Sequence, residues 1–134
     1  MKIIHHNGPV DIEKFIKQYY ATHIGLDTTD FQNFTKNGKE LHTFVSIEMG
    51  ANRIKRGLEE ILKHEENQFI LDEAKSFMIF FSYSKDSKTP LSVQEIQESN
   101  EILDTYFSGK NILWGLAEDK GLNDSVRVII MAKS

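Results

Sequence analysis

Apolar residues recur along this chain in two rhythms, every second position and every third or fourth, and the switch between them is its main structural signal. Leu41, Thr43, Val45, Ile47 and Met49 alternate with polar or smaller neighbours, which predicts a strand over 41–49. Gly50, Ala51 and Asn52 then open a helix. Ile54, Leu58, Ile61 and Leu62 form its apolar stripe, and Arg53, Lys55, Arg56, Glu59 and Glu60 are expected to face water. A loop is expected over 64–68, leading through Phe69 and Ile70 to Ala74. The run from Phe77 to Tyr83 is continuously apolar and reads as a central strand.

After a polar loop from Lys85 to Pro90, Ser92 and Glu95 form a capping box, with Leu91 and Ile96 as its hydrophobic staple. Val93, Ile96, Leu103 and Phe107 are the expected buried face of that helix, and Gly109 its stop. Two strands close the chain. Ile112 to Ala117 is apolar on both faces, which places Trp114 in the core. Turn signals at Glu118 to Gly121 and at Asn123-Asp124 separate it from Val126 to Met131, rich in β-branched residues.

The first 40 residues are less regular. Ile3 and Ile4 precede a turn at Asn7, Gly8 and Pro9. Asp11 can cap a helix reaching Ile24, with Ile12, Phe15, Ile16, Tyr19 and Tyr20 on one side and Gly25 as its end. Asp27 and Asp30 follow, then a short helical turn from Phe31 to Lys36 closed by Asn37-Gly38. After residue 40 the order is β-α-β-α-β-β. The expected fold is therefore α/β (α+β): a four-stranded mixed sheet with two main helices on one face, plus an N-terminal helix that packs at an edge or holds a neighbouring chain. The common face follows from consecutive right-handed crossovers running in one direction.

Composition narrows the function. At 134 residues the chain is one domain's worth of sequence, with 40% hydrophobic and 27% charged residues. A net charge of −4 supplies no general basic field for nucleic acid or for an anionic membrane. The lack of cysteine removes disulfides, thiol nucleophiles and thiolate metal sites, and fits a cytoplasmic setting. No apolar run reaches membrane-spanning length, and the first residues are too short and polar for a signal peptide.

From about Leu26 onward the residues resemble the C-terminal domain of the FtsZ/tubulin family. That family's last strands read like N-I-I-W-G, a D-x-x-L-x-D turn and V-R-V-T-V-I-A. This chain has Asn111 to Gly115, then Asp119 to Asp124 with Leu122 between, then Val126 to Ala132. Gly50-Ala51-Asn52-Arg53 is similar to the family's G-E-N-R-A helix start, and Leu91 to Glu95 to its L-T-x-x-E start. The resemblance implies one domain over 1–134, with 1–25 an N-terminal extension and 26–134 the FtsZ C-terminal-like part, a topology shared with chorismate-mutase-like proteins. It also implies a link to cell division in bacteria. The family's nucleotide-binding domain with its Gly-rich phosphate loop has no counterpart here, because the eight glycines are scattered. Neither GTP binding nor any other cofactor is expected.

Candidate sites are few. Where the family has an N-x-D-x-x-D loop that reaches into the next subunit's nucleotide, this chain has Gly25, Asp27 and Asp30. Both acids are present and the asparagine is replaced. In trans, such carboxylates position an attacking water. A plainer role is open to both, Asp30 as a helix cap and Asp27 as a solvated loop residue, and so short a motif arises often by chance. Arg53 and Arg56, with Lys55, are candidates for an anion or partner contact near a helix N-terminus, although pairing with Glu59 and Glu60 competes with that role. His5-His6 lacks a nearby third metal ligand, and His23, His42 and His64 lie far apart. The function expected is a non-catalytic protein-interaction module whose partner is FtsZ or another copy of itself. The alternative is a small-ligand-binding protein or enzyme with sites between the subunits of a homo-oligomer; it needs converging cations, and only Arg53, Arg56 and Arg127 are arginines.

Overall fold

The computed structural model describes residues 3–7, 22–24 and 41–133. The expected helix over 12–21, the turn at Gly8-Pro9, Gly25, the helical turn at 31–36 and both Asp27 and Asp30 lie outside the described residues. In chain order the elements are β1 (Ile3–Asn7), β2 (Thr22–Ile24), β3 (Leu41–Met49), α1 (Arg53–Leu62), α2 (Glu65–Glu73), β4 (Ser76–Tyr83), α3 (Val93–Tyr106), β5 (Asn111–Glu118) and β6 (Ser125–Lys133).

The expected four-stranded mixed sheet is present in the order β3-β6-β4-β5, and the two short N-terminal strands extend it to β1-β3-β6-β4-β5-β2. Only β4 and β5 pair in parallel. The last strand, β6, is inserted between β3 and β4 and is antiparallel to both. Its interior from Val128 to Ala132 is almost fully buried, as its run of β-branched residues requires. The crossovers β3–β4 and β4–β5 step across the sheet in the same direction, so α1, α2 and α3 share one face. Phe44, Phe77, Ile79, Phe81, Val128 and Ile130 line that face, under Ile54, Leu58 and Ile61 of α1 and Leu103 of α3. Phe107 closes the cluster, its ring 4.6 Å from that of Phe77. On the opposite face Val45, Met78, Phe80, Ile129 and Met131 are equally buried.

Four expectations need correction. Residues 65–73 form a helix, in place of the expected loop over 64–68 and unassigned lead-in to Ala74. It carries no apolar stripe, with Leu71 buried and Phe69 70% exposed, so periodicity had nothing to register. What holds it is local: Asn67 Nδ2 and Gln68 Nε2 donate to the carbonyls of Ile61 and Leu62, the free acceptors at the end of α1. Second, Thr22–Ile24 is a strand and not the end of a helix. Its β-branched residues pair antiparallel with Leu116 to Glu118, and sheet pairing overrides the helical spacing upstream. Third, Val93 is exposed, because it sits in the first turn of α3 beyond the reach of the sheet. Fourth, Trp114 is 43% exposed and Leu113 44%. The part of β5 that carries them lies towards the edge of the sheet, which a local pattern cannot distinguish from its centre.

Candidate functional site

Three of the stretches that carry the family resemblance, Gly50–Arg53, Leu91–Glu95 and Asp119–Asp124, meet at one end of the sheet, where β3 and β4 finish and β6 begins. Gly50 (φ +88°) and Asn52 (φ +55°) both take left-handed backbone, folding the chain sharply from β3 into α1. That turn places Arg53 at the first position of α1, with its side chain directed inward. It is 3% exposed, against the expectation that it faces water.

The Arg53 guanidinium is engaged on three sides. Its Nε and Nη2 donate to the two carboxylate oxygens of Glu95 at 2.9 and 3.0 Å, a bidentate charge-assisted pair. Its Nη1 donates to Thr89 Oγ1 at 3.0 Å and to the carbonyl of Asp124 at 3.1 Å. Glu95 serves twice, since its Oε1 also accepts the backbone N–H of Ser92 while Ser92 Oγ accepts the N–H of Glu95, completing the expected capping box. One arginine thus ties the start of α1, the start of α3 and the β5–β6 turn together.

The neighbouring aspartates hold the turns. Asp119 Oδ1 accepts the N–H of Gly121 and its Oδ2 accepts Arg127 Nη1 at 3.0 Å. Asp124 Oδ1 accepts the Ser87 hydroxyl at 2.7 Å and the Lys88 N–H at 2.9 Å, docking the β4–α3 loop onto the β5–β6 turn. The Ser87 hydrogen bond, followed by that of Lys88, holds the Asp124 carboxyl below its usual range.

Arg56 lies on the outer side of α1. It pairs with Glu48 at 2.8 Å and donates to the carbonyls of Ala51 and Met49, bracing the β3–α1 turn. Neither arginine pairs with Glu59 or Glu60; Glu60 instead pairs with Lys63 at 2.7 Å. That Lys63 hydrogen bond is the first cause of a lowered Glu60 pKa. The inward turn of Arg53 had a signal in the sequence. Arg53, Gly57 and Ile61 are spaced four apart, so they continue the buried stripe, and the small Gly57 lets the helix approach the sheet.

The second feature is the outer part of β5. From Asn111 to Trp114 no residue is buried, whereas Gly115 and Ala117 are. β2 runs antiparallel along β5 from Glu118 to Leu116, so the chain leaves β2 heading towards the Asn111 end, away from Arg53. Asp27 and Asp30 follow β2 in the sequence and lie outside the described residues. His5 and His6 are in β1, opposite Phe44 and Thr43. Among the described residues no group of three His, Asp or Glu side chains is placed to hold a metal, and no helix is long and apolar enough to cross a membrane.

No family model and no curated protein matches the chain. Solved structures do. An empty FtsZ dimer from M. jannaschii and a Trp-to-Tyr mutant of the same FtsZ each match with a TM-score of 0.58 and 20% sequence identity. Each match covers 83% of this chain and 32% of the FtsZ chain, so this chain spans about a third of the FtsZ length. At that identity the likeness is one of fold. With the strand order and the one-sided helices described above, it shows that this chain has an FtsZ C-terminal-domain-like fold.

Proposed function

We propose that the chain is a protein-interaction module that docks on an FtsZ subunit and modulates filament assembly, without catalysis of its own. The observation that carries this reading is the fold likeness over 83% of the chain. One of the matched FtsZ structures is a dimer, so the fold occurs in a protein that associates with its own kind. A docked copy of this chain takes the place of the next subunit. The described part of it and its sequence offer no Gly-rich phosphate loop, so it presents no nucleotide site for a further subunit. A filament end that carries it stops growing in that direction, and substoichiometric amounts shorten filaments.

Asp27 and Asp30 separate two versions of the mechanism. If they position the attacking water on the neighbouring nucleotide, replacing both with Ala blocks hydrolysis at the docked subunit and leaves capping intact. If they are loop and cap residues, the double variant caps and supports turnover like the parent. The test is light scattering of FtsZ assembly read alongside phosphate release. Absence of any effect of the wild-type chain on either signal, at equimolar concentration, removes the filament reading and favours the ligand-binding alternative.

A further inference from the structure

β5 is paired with β4 along its whole inner edge, from Asn111 to Glu118. On its outer edge β2 reaches only Leu116, Ala117 and Glu118. Among the described residues no strand pairs the outer edge from Asn111 to Gly115. Leu113 and Trp114 are consecutive, so they point to opposite faces of the sheet, yet both are more than two-fifths exposed. The strand is therefore open on both faces at that point. Uncovered edges are usually blunted by charge, proline or a bulge. This one has none of the three: it reads Asn-Ile-Leu-Trp-Gly, in unbroken register with β4.

Charge narrows what can close it. The strip from Asn111 to Ala117 is neutral, and α3 carries Glu98, Glu101 and Asp104 with no basic residue. A basic or acidic segment finds no counter-charge on the strip itself, whereas a neutral apolar strand needs none. The chain supplies such a strand in a second copy of itself. We propose that two copies pair antiparallel through their β5 edges, centred on Leu113, joining two sheets into one. In that register Ile112 faces Trp114 of the second copy, a β-branched–aromatic pair, and Leu113 faces its own equivalent. β2 occupies the rest of the edge and sets the limit of the contact. A ribbon this short lies at the low end of interface sizes, below about 1,200 Å², so the dimer is reversible and depends on concentration.

The proposal stands apart from docking on FtsZ and uses a different measurement. Trp114 is the single tryptophan of the chain and lies inside the contact, so it reports directly. Sedimentation velocity and acrylamide quenching are followed from about 1 μM to about 1 mM, the range in which a small interface closes. The expected result is a shift from monomer to dimer, with quenching falling as the exposed ring is covered. Leu113→Lys places two like charges face to face and should remain monomeric throughout; so should Leu113→Glu. An equimolar mixture of the two variants should associate again. Leu113 is exposed, so both variants keep the parent's melting temperature, which circular dichroism checks. A wild-type chain that stays monomeric with unchanged quenching overturns the proposal. So does a dimer that survives Leu113→Lys, which places the contact elsewhere, or a mixture that fails to re-associate, which refutes the register. A monomeric result leaves the light-scattering test on FtsZ untouched.

Discussion

Arg53 and Glu95 are bound to each other, yet removing one should not cost the same as removing the other. The Arg53 side chain is 4% exposed and that of Glu95 22%. Glu95→Ala strands a buried guanidinium and also dismantles the capping box with Ser92, so the cost sits in the range for breaking a buried pair, about 3–5 kcal/mol. Arg53→Ala leaves a carboxylate that reaches water and keeps its Ser92 partners, and a Thr89 hydroxyl that is already exposed. Its cost is lower, about 2–3 kcal/mol. For a chain of this size about 4 °C accompanies each kcal/mol, so the expected drops in Tm are about 8–12 °C for Arg53→Ala and larger for Glu95→Ala. Arg53→Lys should recover only part of the loss, because one ammonium cannot span Glu95, Thr89 and the Asp124 carbonyl together. Thermal and urea melts followed by circular dichroism give all three values and the double-variant cycle, whose coupling should be about 1–3 kcal/mol. An Arg53→Ala protein melting within about 2 °C of the parent, or two variants whose costs simply add, would refute the view that this pair holds the end of the sheet together.

Trp114→Ala should cost only about 1–2 kcal/mol, well short of the 3–5 expected for a core tryptophan, because the ring is 43% exposed; a loss above that range in a urea melt would show that the ring is buried. Gly57→Ala should destabilise by about 1–2 kcal/mol despite the better helix propensity of alanine, since its Cβ would stand 3.0 Å from Val128 Cγ2 and 3.4 Å from Ser46 Oγ, both on fully buried residues. A rise in Tm for that variant would mean that the helix can shift outward. Asp124 has a folded pKa below its ordinary value of 3.8, so the stability it lends is present above that value and lost as pH falls through the lower, folded one. Asp124→Asn should therefore flatten the acid limb of the Tm–pH curve below pH 3.8, with little change in its shape near neutrality.

Much of the fold is legible residue by residue, because its signals are local. The stripe of Ile54, Leu58, Ile61 and Leu62 specifies α1. The Ser92–Glu95 box sets the start of α3 to the residue, and Gly109 at φ +77° ends the turn that follows it. The motif stretches at Gly50–Arg53, Leu91–Glu95 and Asp119–Asp124 were visible separately, but nothing in a linear pattern says that a single guanidinium joins them. α2 was invisible for the opposite reason, since a helix whose stability comes from capping the previous one needs no apolar stripe.

The sequence by itself therefore determined the order of elements after residue 40 apart from α2, the mixed sheet with its helices on one face, and the resemblance to FtsZ. Each of these rests on periodicity, caps and turn residues that act within a few positions of one another. Only the tertiary structure settled which positions are inside. β6 enters last and takes the centre of the sheet, displacing β5 towards the edge, and so a strand apolar over most of its length leaves Leu113 and Trp114 in contact with water. The same long-range assembly draws Arg53 out of the solvent, because Glu95 and the Asp124 carbonyl arrive from distant parts of the chain to satisfy it. Burial is a property of neighbours, and here the neighbours that matter are far apart in sequence.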